Sequence, residues 1–120
     1  MSDPDRLSTH FCRSEFSCKC GCGCDTVDIG LLAVLETIRT HFGKPVVINS
    51  GMRCAAHNAE IRGKSHSKHL EGRAADIFVP EVPANEIQDF IESRFPDTLG
   101  MGRYALFTHI DTRTGPMARW

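Results

Sequence analysis

The chain has 120 residues, with 14 lysines and arginines against 15 acidic residues and a net charge of −1. That length fits one domain with one core, and the balanced charge gives no global electrostatic case for nucleic acid or an anionic membrane. No basic-then-apolar leader and no run of about eighteen apolar residues occurs, so neither an export signal nor a membrane span is expected.

Residues 1–26 are polar and cysteine-rich. They read as an arm on a domain spanning residues 27–120, with a short helical piece near Ser14 to Phe16 and with Phe11 and Phe16 as packing groups. Cys18, Cys20, Cys22 and Cys24 alternate in CKCGCGC, with Cys12 before them and Cys54 far along the chain. Without an export signal the thiols are expected to persist or to bind metal. Alternate residues of a strand share a face, while Gly21 and Gly23 also permit a coil, so a metal site, disulfides and unpaired thiols in a tight loop all stay open. Against the metal, four alternate cysteines in a regular strand do not easily make a tetrahedron, and familiar structural zinc sites use CxxC spacing.

Asp25 or Thr26 is expected to cap a helix in which Ile29, Leu32, Leu35, Ile38 and Phe42 recur at helical spacing, ending at Gly43. PVVINS predicts a buried strand from Val46 to Asn49, whose end presents Ser50, Gly51 and Arg53. A short helix from Cys54 to Ile61 and a polar loop, GKSHSKH, follow. Gly72 to Val79 reads as a strand stopped by Pro80 and Pro83. A helix from Pro83 to Phe95 then turns Ile87, Phe90 and Ile91 inward, with proline in the first turn where its missing N–H costs nothing. The last segment predicts two short strands about a turn near Ala105 and Leu106, then a tail. This order points to an α+β single domain with a small, mostly antiparallel sheet flanked by helices.

The chemistry concentrates in SKHLEGRAAD and FTHID. His69 precedes a glycine turn and Asp76 lies inside the following strand, so the interval can fold back on itself. With His109, these supply two imidazoles and a carboxylate, the three N and O ligands of a zinc site with an open position that makes water a nucleophile at neutral pH. Asp76 sits between Ala75 and Ile77, where an unpaired carboxylate is costly; a metal resolves this, as would pairing with Arg73 or Arg53. His109 and Asp111 alternate in a strand and share a face, so Asp111 can reach the metal's water or orient the ligand. Arg53 offers a planar fork of donors for a substrate carbonyl or carboxylate, or is a surface arginine. His66 is a spare ligand, a substrate hydrogen-bonder or exposed; exposure is expected for His10, His41 and His57.

These residues resemble the zinc D-alanyl-D-alanine carboxypeptidase family, metallopeptidase family fifteen, which includes phage endolysin peptidases and is related in fold to the hedgehog signalling domain. Its signature SxHxxGxAxD is matched by Ser67, His69, Gly72, Ala74 and Asp76. The SGMR segment with Arg53 resembles the family's arginine motif, and the terminal FTHIDTR with ARW and the N-terminal FxxxEFxCxCGCG pattern resemble a small phage and prophage subfamily. The resemblance implies zinc held by His69, Asp76 and His109, Arg53 on the scissile carbonyl or terminal carboxylate, Ser67 anchoring substrate, and a peptidoglycan stem peptide as that substrate. Better-known members carry a catalytic Glu three residues before the last histidine ligand, or a His two before it; here those positions are Leu106 and Phe107. Asp111 is the nearest carboxylate that strand geometry allows as proton acceptor, with Glu71 and His66 as weaker candidates.

The expectation is therefore a monomeric zinc peptidase, carboxypeptidase or endopeptidase, reaching the cell wall after phage-mediated release. The alternatives are a zinc-binding recognition module that has lost catalysis and a zinc-knuckle nucleic-acid binder. Only Arg13 and Lys19 stand near the cysteines, too little basic charge for the last.

Overall fold

Asp28, not Asp25 or Thr26, caps the first helix: its carboxylate accepts from Leu31 N and opens α1 (Ile29–Phe42), which ends on Gly43 in the left-handed region. Starting there fixes the buried face as Leu31, Val34, Leu35 and Ile38. Ile29, expected inward, is 83% exposed, because two residues before Leu31 falls about 200° around the helix at 3.6 residues per turn. The computed structural model describes residues 4–64 and 67–120. Among the described residues no helix is long and apolar enough to cross a membrane.

The remaining elements are β1 (Val47–Ser50), α2 (Ala55–Glu60), β2 (Ala74–Phe78), α3 (Ala84–Arg94), β3 (Gly100–Arg103), β4 (Thr108–Asp111) and β5 (Ala118–Arg119). Two 3-10 turns join them, Arg13–Glu15 in the arm and Lys68–Glu71 before β2. The sheet runs β1-β2-β4-β3-β5, antiparallel throughout except for the β3–β5 edge. The architecture is α+β, as expected from the element order, but the expected tail is a fifth strand: Ala118 N donates to Leu99 O and Trp120 N to Met101 O. Two residues of strand carry no period-2 pattern, which is why sequence alone does not reveal them.

One face of the sheet, through Ala75, Ile77, Met101 and Ile110, closes the core with Leu35 and Ile38 of α1 and Ile87 and Ile91 of α3. Phe90, expected inward, is only partly buried; its ring stacks on that of His41 at 4.0 Å. Gln88 takes the inner place instead, donating to Thr108 Oγ1 and to the carbonyls of Tyr104 and Phe107, and so fastens the β3–β4 turn to α3.

The arm joins this same core, with Phe11 and Phe16 each 1% exposed. Its hold on α1 is polar: Glu36 accepts from Ser8 Oγ at 2.6 Å and His10 N at 2.7 Å and pairs with His10 Nδ1 at 2.6 Å. Burial raises the Glu36 carboxyl, but the bonds from Ser8 and His10 outweigh it and hold the group below its ordinary 4.5. A carboxylate depressed in the folded state stabilises above its unfolded value and loses that contribution as pH falls through the folded one. Glu36→Ala is therefore expected to lower stability by about 1–2 kcal/mol in urea unfolding at neutral pH. The difference from the parent protein should shrink as the titration is repeated below pH 4.5.

Candidate metal centre

Four strands align the centre in one cross-strand row. Ser50 on β1 faces Asp76 on β2, Asp76 faces His109 on β4, and His109 faces Gly102 on β3. Because side chains alternate along a strand, this register puts Asp76 and His109 on the face opposite the core while Ala75, Ile77 and Ile110 fill it. Ala74 pairs with Asp111 in the next row and leaves it room.

His69 reaches the row from the 3-10 turn. Ser67 Oγ accepts from His69 N at 3.2 Å and starts the turn, and Gly72 ends it at φ +69. A Cβ on Gly72 would lie 2.4 Å from Thr26 O, so both the backbone angle and the close approach of the chain require glycine there. His69, expected at the end of a polar loop, thus sits in a capped turn and is 2% exposed.

The imidazoles converge on one oxygen. His69 Nε2 lies 3.3 Å and His109 Nδ1 3.0 Å from Asp76 Oδ1. The far nitrogen of each ring is committed elsewhere. His69 Nδ1 meets Gly51 O at 2.7 Å, and a carbonyl can only accept, so this nitrogen carries the proton. His109 Nε2 meets Asp111 Oδ2 at 2.8 Å, and Asp111 is itself gripped by Arg113 through Nε to Oδ1 at 2.8 Å and Nη2 to Oδ2 at 2.7 Å. When both rings are neutral, two lone pairs face a carboxylate. Only protons or a cation relieve that, and one divalent ion satisfies all three groups at once. His69, Asp76 and His109 each bring a donor atom within 4.8 Å of the others, so the residues fit a metal ion.

Electrostatics follow from the same contacts. Burial raises the Asp76 carboxyl, yet the bonds and charges of His109 and His69 hold it well below the usual carboxylate range. Asp111, with no exposed surface, is likewise held low against burial, by Arg113 and then His109. Burial lowers His109, but Asp111 and Asp76 raise it on balance. Arg53 donates through Nη2 to Asp76 Oδ2 and through Nε to Ser50 Oγ, both at 3.2 Å, and through Nη1 to Asn58 Oδ1 at 3.4 Å. It is half-buried at the centre, not a surface arginine. Arg73 is turned away to Thr112 O. Both readings of Asp76 therefore meet in one residue, its Oδ1 toward the imidazoles and its Oδ2 toward Arg53.

A cleft of about 610 Å³ opens over the row. Arg53, Arg62, Lys64, Lys68 and Arg113 line it, and among the described lining residues the carboxylate side chains are Asp76 and Asp111, both already paired. The wall above His109 is aromatic: Trp120 lies 5.1 Å from the His109 ring, its Nε1 donates to Tyr104 Oη, and Tyr104 stacks on Phe107. The structure brings Arg53, Ser67, His69, Asp76, His109 and Asp111 to this one cleft. The sequence reading missed Arg113, Trp120 and the Gly51 carbonyl; the basic residue in DTR and the closing ARW were the available signals. Of the other histidines, His10 and His41 are exposed, His57 is half-buried rather than exposed, and His66 lies outside the described residues.

A family model described as Peptidase M15 matches residues 9–111. No curated protein matches the chain.

Asp111 gives the clearest test of this arrangement. Asp111→Asn removes the charge and one of the two acceptor oxygens, so a single oxygen is left to serve both Arg113 and the His109 Nε2–H that keeps Nδ1 deprotonated and facing Asp76. Zinc affinity, measured by competition with a chromogenic chelator, should fall by about ten- to a hundredfold. Unchanged affinity in the folded variant would mean that Asp111 does not orient the ligand.

Proposed function

Because the chain belongs to the peptidase M15 family, a family of metallopeptidases, we propose that it is a zinc-dependent peptidase acting on peptidoglycan stem peptides, with the ion held by His69, Asp76 and His109. The observation that carries the reading is the pair of imidazoles aimed at one carboxylate oxygen, each with its other nitrogen already donating. When bound there, zinc would supply Lewis acidity toward a carbonyl and activate water for hydrolysis.

The chain's own groups divide the remaining work. Arg53, with one donor on Asp76 Oδ2, has its guanidinium at the cleft to orient a scissile carbonyl or a terminal carboxylate. Lys64, Lys68 and Arg62 make the cleft cationic, which suits a peptide ending in a free carboxylate. Ser67 accepts from His69 N, and its hydroxyl proton remains available to substrate. Asp111 was expected to accept a proton; its contacts with His109 and Arg113 favour a positioning role, fixing the tautomer of His109.

One observation favours a second reading, a zinc-binding recognition module for cell-wall peptides. No described carboxylate in the cleft is free to accept a proton from water, since Asp76 and Asp111 are both engaged. Incubating zinc-loaded protein with a stem pentapeptide ending in two D-alanines, and with cross-linked muropeptides, separates the two by mass spectrometry. The peptidase reading expects release of D-alanine or of cross-link fragments, lost on chelation and restored by zinc. Peptide binding without release would leave the recognition module.

Within the peptidase reading, His69→Ala and Asp76→Ala should lose metal and hydrolysis together. Arg53→Lys should keep the metal but lower kcat/KM by roughly ten- to a hundredfold, since an ammonium cannot reproduce the planar fork. Metal content by elemental analysis alongside the kinetics distinguishes the two classes of variant.

A further inference from the structure

The arm holds a second group of metal-ligating atoms that the peptidase chemistry does not use. Cys18, Cys20, Cys22 and Cys54 each place a sulfur within 4.8 Å of the other three. Cys18 Sγ lies 3.4 Å from Cys20 Sγ and 3.8 Å from Cys54 Sγ, and Cys20 Sγ lies 3.6 Å from Cys54 Sγ. A tetrahedral zinc with Zn–S bonds of about 2.3 Å sets sulfur spacings of about 3.8 Å, close to those found here.

The objection that alternate cysteines on a strand cannot surround an ion does not apply to the fold adopted. Gly21 at φ +79 and Gly23 at φ +90 coil the segment, and Cys18 N donates to Cys24 O at 2.7 Å to close the loop on itself. A Cβ at either glycine would meet nothing within 4 Å, so it is the backbone angle that calls for glycine there. Backbone donors already serve the sulfurs: Cys54 N donates to Cys18 Sγ and His57 N to Cys54 Sγ, both at 3.4 Å. Bonds of this kind steady thiolates around a metal. Four soft sulfurs in a compact group select zinc or iron over hard cations.

We propose that Cys18, Cys20, Cys22 and Cys54 form a structural zinc site that clamps the N-terminal arm to the segment carrying Arg53. Each thiol gives its proton to solvent on binding, and no redox change is involved. Three ligands come from the arm and the fourth directly follows Arg53. The neighbouring backbone is tied from both sides, since Met52 N donates to Phe16 O in the arm and Arg53 N to His69 O at the other centre. The clamp therefore supports the stretch whose Gly51 carbonyl orients His69.

The test separates this site from the histidine centre. Elemental analysis of zinc-loaded full-length protein should give about two zinc ions per chain. A variant with His69→Ala and Asp76→Asn should keep about one, together with the thiolate-to-cobalt charge-transfer absorption of the cobalt-substituted protein. Cys20→Ser with Cys22→Ser should lose that absorption and one zinc per chain. Both cysteines are exposed, so the core should stay folded by circular dichroism. Cys12→Ser should change neither reading. Zinc content unaffected by the Cys20/Cys22 changes, iron in place of the second zinc, or cysteines that resist alkylation until reduced would each overturn the proposal. Loss of metal from the His69 and Asp76 variants alone bears only on the peptidase reading.

Discussion

His69 and His109 meet over a single oxygen of Asp76, and each can do so only because its other nitrogen is already occupied. A neutral imidazole has one donor and one acceptor, so fixing the donor on Gly51 O or Asp111 leaves a lone pair aimed at the centre. The direction in which each imidazole presents that lone pair is therefore set by the partner behind it. On the His109 side that support is a relay of charge, in which Arg113 holds Asp111 with two parallel bonds and Asp111 holds the ring. A Cβ on Gly100 would lie 2.5 Å from both Asp111 oxygens, so the neighbouring strand needs glycine to let the buried carboxylate fit.

On the His69 side the support is backbone, and it arrives from far away in sequence. Gly51 O takes the His69 proton, while Gly51 itself packs so tightly on Phe16 that a Cβ would lie 2.8 Å from its backbone. The arm is therefore an inner wall of the segment that orients the ligand. This gives the cysteines a mechanical meaning, because Cys54 lies one residue beyond Arg53 and its sulfur is grouped with those of the arm. A backbone acceptor cannot be tuned by changing its own side chain, so its position has to be secured by what packs around it.

Much of this was legible before the fold. The glycine turn after His69, the strand bearing Asp76 and the alternation of His109 with Asp111 are local patterns, and the structure joins Asp76 and His109 as direct cross-strand partners. Helix α1 was legible in existence and C-terminus, through Gly43, but not in face or cap. Asp25, Thr26 and Asp28 are all competent caps in isolation. Asp28 alone also accepts from Thr112 Oγ1 and has its backbone N–H on Gly72 O, contacts made by chain segments far along the sequence. Likewise β5 exists because the β3 edge offers partners to Ala118 and Trp120, not because two residues prefer extended backbone.

The sequence by itself determined the donor chemistry: which residues can bind a cation, which glycines let the chain turn, and that Asp111 is the carboxylate nearest His109 along the chain. Residue type and short spacing suffice for these, since they depend on a few consecutive dihedrals. Only the tertiary structure decided which nitrogen of each histidine faces Asp76, that Arg53 and the imidazoles share that aspartate, and that Asp111 is committed to Arg113. Those outcomes depend on where separate strands, a turn and the arm come to rest against one another, and hydrogen-bond direction is fixed only when both partners are in place.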